Sequence, residues 1–313
     1  MDNKKQTNVL NSIKELNNLL GLPEPFHPFA TINDYNSITT DAFKLTEGKQ
    51  LNFYSISYRE NSQNGNSELS FIPPMQHLTL GGDEKDTFKG MTLVIHPIFL
   101  NGFPLAKAIR SCSFFNYREN ETLQLSAKGK DVVLEIFENI QKDLEQYDDD
   151  QSQIIMLNQT ELLLNYSRRF YNNQFSEIDS LKNNLLDRVR TLVESYDGTK
   201  KGMLSLEFLS NELGISAPYL SDFLQCLTGL DGIIYVYDIL TERAKKCIIA
   251  NEDLSIAEIA NMLGFESTLL FTRMLRKNTG YTPLEIRELY GDRNRPHSIR
   301  KIHRICNKYL NCR

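Results

Sequence analysis

The sequence predicts an α+β chain with a strand-rich first half and an all-helical second half. Phe26–Leu125 contains short runs rich in Phe, Ile, Tyr, Leu and Thr, which predict several short strands of a small β-barrel or sandwich. From Ser126 onward, apolar residues recur every three or four positions, as they do on one face of a helix. A length of 313 residues is enough for two domains.

The segment before the strands predicts one short helix. Its apolar residues Val9, Ile13, Leu16 and Leu20 would share one face. The polar start MDNKKQTNVL lacks the apolar segment of a signal peptide, and no apolar run reaches the length of a membrane span. We therefore expect a soluble, cytoplasmic protein without a membrane partner.

The strand region has no pattern typical of catalysis or metal binding. His27, His77 and His96 stand alone, whereas a metal ion needs several ligands on one face. The five cysteines form no CxxC pair, and the sequence contains no nucleophile elbow, phosphate loop or GxGxxG. We predict no enzyme activity, no cofactor and no metal.

Five aromatic residues of this region would suit an apolar or aromatic ligand, but residues of this type are more often ordinary core. No effector-binding residue is therefore assigned. The residues are Phe53, Tyr54, Phe71, Phe114 and Phe115.

Two long helices are predicted after the strands. The first has an apolar stripe, DDDQSQ interrupts the pattern, and the second runs through Phe175. The polar segment Asn172–Leu181 is predicted to link the two halves. The apolar residues of the helices are Val132, Val133, Ile136, Phe137 and Ile140, then Ile154, Ile155, Leu157, Leu162, Leu163 and Leu164.

Residues 253–289 predict two short helices joined by a glycine turn. Ser255 and Glu258 have the spacing of a capping box, and Gly264 suits the left-handed end of the first helix. Ser267 or Thr268 opens the second helix, which Gly280 and Pro283 end. Such a pair predicts a helix-turn-helix, whose second helix can lie in a DNA major groove. The expected buried residues are Ile256, Ile259, Ala260, Leu263 and Phe265, then Leu270, Phe271, Met274 and Leu275.

The same pattern occurs once more, about 50 residues earlier. The first helices match at an offset of 50, and after one extra turn residue the second helices match at an offset of 51. A repeated unit of this kind is hard to obtain by chance. The matching residues are Leu206, Leu209, Ser210, Leu213 and Gly214 in the first helix and turn, then Leu220, Phe223, Leu224, Thr228 and Gly229.

Two such units, the second reading GFES…TR…RKNTGYTP, resemble the AraC/XylS family of bacterial transcription regulators over roughly Leu181–Leu289. The resemblance implies a cupin-like N-terminal β-barrel with a helical hairpin over 1–177, and a tandem helix-turn-helix domain over 178–290. It also implies a long joining helix over Ile233–Ala250, roughly 27 Å in length, which suits recognition helices in successive major grooves. A basic tail, 291–313, extends beyond the usual family end.

The resemblance implies a regulator that binds double-stranded promoter or operator DNA. Its other implied partners are a small-molecule effector at the N-terminal domain, RNA polymerase, and a second copy bound through the hairpin at 128–175. The hairpin would otherwise pack on its own barrel. The alternative function is a co-regulator that acts by protein–protein interaction and has a weakened first unit. The sequence does not decide between activator and repressor.

Charge divides unevenly along the chain. Residues 1–180 contain 16 basic and 24 acidic side chains, whereas residues 181–313 contain 19 basic and 16 acidic side chains. Within the second half, residues 205–229 contain no Lys or Arg, and Asp222 stands at the position of Arg273. Because basic residues supply most non-specific DNA affinity, we expect the second unit to anchor the protein while the first contacts a few bases.

The predicted DNA contacts lie on the second helix of each unit. Arg273 is expected to bond guanine O6 and N7, and Leu269 to contact a thymine methyl. Asp222 would accept a hydrogen bond from cytosine N4, or would pair within the protein. The full set is Pro218, Ser221, Asp222 and Gln225 in the first unit, and Ser267, Thr268, Leu269, Thr272, Arg273, Arg276 and Lys277 in the second, where Arg276 and Lys277 are expected to contact phosphates.

The tail from Tyr290 to Arg313 carries seven basic residues and one acid. It would compensate for the acidic first unit by contacting the DNA backbone, or it would be a disordered basic end.

Overall fold

The structure, a computed structural model, describes residues 9–38, 49–77, 88–146, 150–178, 185–251 and 253–290. These residues divide into two units. The first takes the described residues of Met1–Lys182 together with Gly214–Leu227, and the second takes those of Asn183–Leu213 and Thr228–Arg313. The basic tail at 291–313 lies outside the described residues.

The main sheet of the first unit has five antiparallel strands in the order β2-β7-β4-β5-β8. Its middle strands are the longest, and β7 pairs with β2 on one side and β4 on the other. A smaller sheet has the order β1-β3-β6. The strands are β1 Val9–Leu10, β2 Ala30–Asp34, β3 Gln50–Leu51, β4 Tyr54–Asn61, β5 Ser67–Ile72, β6 Gln76–His77, β7 Phe88–Ile95 and β8 Leu123–Leu125.

The prediction of several short strands is confirmed, but a closed cupin-like barrel is not. Among the described residues, β2 and β8 are the outer strands of the five-stranded sheet, and the smaller sheet is separate from it. The segment FIPPMQ leads from β5 to β6, and its Met75 has a positive φ of 67°. Side chains on a strand point alternately to its two faces, and in β5 every second residue is buried, namely Ser67, Leu69 and Phe71.

The five aromatic residues considered as ligand contacts are all buried core residues. The Phe71 ring lies 4.5 Å from that of Phe114 and 5.5 Å from that of Phe115, between ring centroids. Tilted and edge-to-face pairs at such distances are the favoured packing of aromatic rings. These residues therefore hold the sheet to the segment that follows it.

Two short helices flank the sheets. The first, α1 (Ile13–Leu20), is capped by Ser12 and ends at Gly21 with a φ of 69°. Val9 was predicted to share its apolar face, but Val9 lies in β1. The second, α2 (Leu105–Arg110), is followed by a 3-10 turn at Ser113–Asn116.

The predicted hairpin is present as α3 (Ala127–Glu145) and α4 (Asp150–Ile178). The predicted linker from Asn172 was wrong as far as Ile178, because α4 continues through it. Phe175 is buried on one side of this helix, and the polar residues around it are its outer side. Three apolar residues that were assigned to the hairpin core are exposed instead, namely Ile154, Ile155 and Leu162.

The second unit is helical, and its longest helix is α9 (Gly232–Ala250), as predicted for the joining helix. Its buried residues recur at helical spacing and include Val236, Leu240, Ala244 and Ile248. The helices of the C-terminal half are α5 Leu185–Ser195, α6 Gly198–Lys201, α7 Leu206–Leu213, α8 Ala217–Thr228, α9 Gly232–Ala250, α10 Ile256–Met262, α11 Thr268–Thr279 and α12 Pro283–Tyr290. Of these, α8 belongs to the first unit.

No single helix in the described part of the chain is long and apolar enough to cross a membrane. The helices α8 and α9 pass this test of length and composition only when the two are taken together, and buried core helices pass the same test.

A close backbone approach fixes the turn after α10. A Cβ added to Gly198 would lie 2.0 Å from the backbone nitrogen of Gly264. Gly264 itself has a φ of 85°, and a Cβ there would lie 2.0 Å from the carbonyl oxygen of Gly202. Because backbone cannot move aside as a flexible side chain can, both positions require glycine.

We expect Gly198→Ala to destabilise the second unit by roughly 1–3 kcal/mol, the usual cost of overpacking. Gly129→Ala is the matched control, since an added Cβ there meets side-chain atoms at an ordinary 3.4–3.5 Å. Urea unfolding of the full chain measures both changes. Equal stability of the two variants would contradict the close approach.

Two buried histidines of the first unit accept hydrogen bonds from backbone. Nδ1 of His27 accepts from the Phe29 N–H and Nδ1 of His96 from the Ile98 N–H, each at 3.1 Å. Burial lowers the pKa of both imidazoles. In the described part of the chain, no three His, Cys, Asp or Glu side chains are grouped as metal ligands would be.

Both histidines should make stability depend on pH in the neutral range. Their folded pKa lies below the unfolded value of about 6.5, so stability is full above that pH and is lost as the pH falls toward the folded pKa. We expect His96→Asn, which keeps an acceptor at the cap, to flatten this dependence between about pH 7 and 5.5. Urea unfolding across this range tests it, and an unchanged slope would contradict it.

Candidate nucleic-acid interface

The second helix-turn-helix has the predicted local structure. Ser255 Oγ accepts from the Glu258 N–H at 3.2 Å, and the Glu258 carboxylate accepts from the Ser255 N–H at 2.7 Å. These reciprocal bonds form the capping box of α10. In the turn, the buried Phe265 ring lies 5.2 Å from that of Phe271.

The helix α11 begins and ends where the sequence predicted. Ser267 caps its first turn by accepting from the Leu270 N–H at 3.2 Å, and Gly280 ends it with a φ of 81°. Phe271 and Leu275 are buried, but Leu270, predicted to be buried, is 45% exposed. The reason is helical geometry: Leu270 lies one position before Phe271, at the edge of the buried side.

The opposite side of α11 brings together the predicted DNA contacts. Leu269 is 58% exposed, although it is apolar. Thr272 is half-buried, and the exposed predicted contacts are Ser267, Thr268, Leu269, Arg273, Arg276 and Lys277. Their spacing places three positive charges and the apolar side chain of Leu269 along one face of the helix. Such a face suits a DNA groove.

A buried polar contact that the sequence analysis missed orients α11. Thr241 on α9 is buried, and its hydroxyl lies 3.0 Å from Met274 Sδ. The same hydroxyl accepts from Asn278 Nδ2 at 2.8 Å. In the sequence, Thr241 lies among the regularly spaced apolar residues of α9. Its polar side chain within that apolar stripe is the sequence signal that could have identified it.

The first helix-turn-helix repeats the bounds of the second. Its second helix, α8, starts at 217 and ends at 228, and α11 starts and ends 51 residues later at 268 and 279. Ser205 caps α7 through the Phe208 N–H at 3.1 Å, and Gly214 has a φ of 75°. Ser216 caps α8 through the Tyr219 N–H at 3.2 Å.

The environment of α8 is different from that of α11, because other parts of the first unit bind it. The buried Glu121 carboxylate accepts from both the Ser216 N–H and the Ser216 hydroxyl, each at 2.6 Å. The Asp222 carboxylate accepts from the hydroxyls of Ser113 and Tyr117, the latter at 2.5 Å. Asp222 thus pairs within the protein in this arrangement.

Aromatic side chains also pack between α8 and the rest of the first unit. The Tyr219 ring lies 5.1 Å from that of Tyr117 and 5.0 Å from that of Phe175, while Phe223 lies 5.9 Å from Phe175. Burial raises the pKa of the Tyr117 hydroxyl far above its usual range, and the nearby Asp222 carboxylate raises it further. Tyr117 is therefore a hydrogen-bond donor at every physiological pH.

The remaining predicted contacts of α8 are only partly accessible. Pro218 and Ser221 are half-buried, and Gln225 is exposed. Cys226 donates to the Asn172 carbonyl at 3.5 Å. No basic residue stands on this helix.

Comparison with known proteins identifies the C-terminal region. The helix-turn-helix domain family matches residues 209–289. No curated protein matches the sequence.

Three solved structures are similar to parts of the chain. The C-terminal domain of AraT, a response regulator from Geobacillus stearothermophilus, is 24% identical over 37% of this chain and 93% of its own, with a TM-score of 0.32. The C-terminal domain of the response regulator yesN from Fusobacterium nucleatum is 27% identical over 34% of this chain and 99% of its own, with a TM-score of 0.30. Unsaturated fatty acid bound ToxT from Vibrio cholerae is 14% identical over 88% of this chain and 100% of its own, with a TM-score of 0.29. TM-scores of this size do not establish a common overall arrangement.

The family match covers both helices that carry the predicted contacts, and it coincides with the repeated helix pairs. Residues 209–289 are an AraC-type helix-turn-helix domain, the DNA-binding domain of a transcription regulator.

Proposed function

We propose that this regulator is sequence-specific and that α11 makes its principal DNA contacts. The observation that carries the proposal is the exposed basic face of α11, whose counterpart on α8 has no basic residue. Attraction between cations and phosphates supplies most of the affinity of such proteins for DNA. The second unit would therefore hold the protein on its site.

Each residue on this face has a role that its chemistry supports. Arg273 is placed to bond guanine O6 and N7, and Leu269 to touch a thymine methyl. Arg276 and Lys277, one turn further along, would contact phosphates. The hydroxyls of Ser267, Thr268 and Thr272 suit backbone contacts near the start of the helix.

The first unit would add contacts through Pro218, Ser221, Asp222 and Gln225 once α8 is accessible. The alternative function, a co-regulator that acts through protein contacts, is favoured by one observation. Its α8 is bound by Glu121, Ser113 and Tyr117 instead of being exposed. The two functions predict different contacts with DNA: in the regulator both units contact bases, and in the co-regulator the first unit does not.

We also propose that two copies associate through the hairpin of α3 and α4. Ile154, Ile155 and Leu162 are exposed on α4, and Leu162 lies two turns beyond the other two on the same side of the helix. Apolar residues left exposed together on one helix suit an isologous dimer. A small-molecule effector at the N-terminal unit, and contact with RNA polymerase, complete the proposed regulator.

Arg273→Ala should weaken specific DNA binding by roughly five- to 150-fold, since a bidentate base contact is worth about 1–3 kcal/mol. Arg188→Ala is the matched control, because Arg188 is an exposed arginine of α5 in the same unit. Fluorescence anisotropy on a selected site at fixed salt measures both. If Arg273→Ala binds as tightly as the control, the base contact is refuted.

Selection from a random DNA pool with the full chain tests the function itself. We expect an enriched element bound by α11, with a guanine that loses its enrichment in Arg273→Ala. A second element one helical turn away would add the first unit to the contacts. Failure to enrich any sequence, with binding that vanishes as salt rises, would favour the co-regulator instead.

A further inference from the structure

The hydroxyl of Thr241 joins α9 to α11 by a directional contact. Thr241 is 3% exposed, and its hydroxyl donates to the Tyr237 carbonyl within α9 at 2.7 Å. Because its hydrogen is used there, its oxygen is left to accept, and Asn278 Nδ2 donates to it at 2.8 Å. Met274 Sδ lies 3.0 Å from the same oxygen. Met274 and Asn278 are one helical turn apart, so two turns of α11 meet one point of α9.

The apolar packing of α11 fixes its rotation less precisely than this contact does. Phe271 and Leu275 are fully buried, but apolar contacts are non-directional. A small roll of the helix about its own axis therefore changes their burial little. A hydrogen bond, by contrast, weakens when its length and angle depart from the favoured values. The bond between Thr241 and Asn278 thus sets the roll of α11.

The first helix-turn-helix has an apolar residue where α11 has the polar donor. At the offset of 51 that relates α8 to α11, Leu227 stands at the position of Asn278 and Phe223 at that of Met274. The two helices nevertheless have the same length. A helix of this kind therefore forms without a polar residue at this position. The polar contact belongs to the unit whose second helix carries the basic face.

The roll of α11 decides where the Arg273 side chain points. Arg273 precedes Met274 by one residue, which is about 100° around the helix. A helix is about 10–12 Å across with its side chains, so a roll of about 10° moves its outer atoms by about 1 Å. Hydrogen-bond lengths vary over only about 0.5 Å, so this movement would misalign a bidentate bond to guanine. Phosphate contacts of Arg276 and Lys277 carry no sequence information and depend mainly on charge.

We propose that Thr241 is a positioning residue for base recognition. Together with Asn278 it holds α11 at the roll at which Arg273 reaches guanine. The contact then serves discrimination between DNA sequences and adds little to the affinity for DNA in general. This inference rests on the proposed function, in which Arg273 contacts guanine, and adds a buried residue that acts through Arg273.

Thr241→Val, which keeps the branched shape and removes the accepting hydroxyl, tests the inference in the full chain. Fluorescence anisotropy compares the selected site with the same site lacking its Arg273-dependent guanine. The preference for guanine should fall about three- to tenfold, the size of one lost hydrogen bond. Affinity for an unrelated duplex should stay within about twofold, because phosphate contacts remain. Thr241→Ser, which keeps the hydroxyl, should retain the preference.

Two combinations separate positioning from a merely structural role. When Arg273→Ala is already present, Thr241→Val should cause no further loss of preference, because its effect passes through the Arg273 side chain. Asn278→Leu, which introduces the residue of the first unit, should lose preference as Thr241→Val does. Both changes together should lose no more than either alone. Thr191→Val is the matched control, because the Thr191 hydroxyl donates in the same way to the Asp187 carbonyl on α5, at 2.8 Å.

An unchanged guanine preference in Thr241→Val, where Arg273→Ala loses it, refutes the positioning role and leaves the proposed function standing. Equal losses of specific and non-specific affinity also refute it, as does a further loss when Arg273→Ala is present. If circular dichroism shows that Thr241→Val is unfolded, Asn278→Leu, at an exposed position, decides by the same criteria. If the original chain has no preference that depends on Arg273, the proposed guanine contact is wrong and the positioning role is refuted with it.

Discussion

The buried carboxylate of Glu121 is the contact on which the arrangement of the first unit depends. Glu121 is only 8% exposed, and an ionised carboxylate out of water is costly unless its oxygens accept hydrogen bonds. They accept from the Arg118 N–H at 2.7 Å and from the N–H and hydroxyl of Ser216 at 2.6 Å. Bonds of this charged kind are worth roughly 1.5–3 kcal/mol each. Glu121 therefore ties the N-terminus of α8 to the rest of the first unit, and Asp222 makes a second such contact farther along the helix.

This tie gives two repeated helices different environments. The second helices α8 and α11 have equal length, and each follows a shorter helix and a left-handed glycine, although the turn before α11 is one residue longer. The repeat therefore supplies similar local structure twice. What differs is the outer face, which is basic and exposed on α11 and acidic and bound on α8. An acid at the position of Arg273 weakens attraction to phosphate and creates a partner for hydroxyls. The acid at this position thus gives α8 hydrogen-bond partners within its own unit.

Local features were predictable from the sequence, because their causes lie within a few residues. The capping box at Ser255, the left-handed Gly264 and Gly280, and the bounds of α11 follow from neighbouring residues alone. The partners of α8 were not predictable, since Ser216 and Asp222 bond residues 95 to 109 positions away. Strand pairing was not predictable for the same reason, since β2 pairs with β7 and β5 with β8, which are remote in sequence. The polar run from Asn172 predicts a linker although it is helical as far as Ile178, because the outer side of a helix has the same composition.

Hydrogen exchange of the α8 amides tests the central claim most directly, namely that Glu121 and Asp222 hold this helix on the rest of the first unit. In the DNA-free full chain, we expect the amides of residues 219–228 to exchange slowly. In Glu121→Ala they should exchange at least about tenfold faster, since the loss of one such tie is worth 1.5–3 kcal/mol or more. The amides of α11 should be unchanged and serve as the internal reference. Equal exchange of α8 in the two proteins would contradict the account.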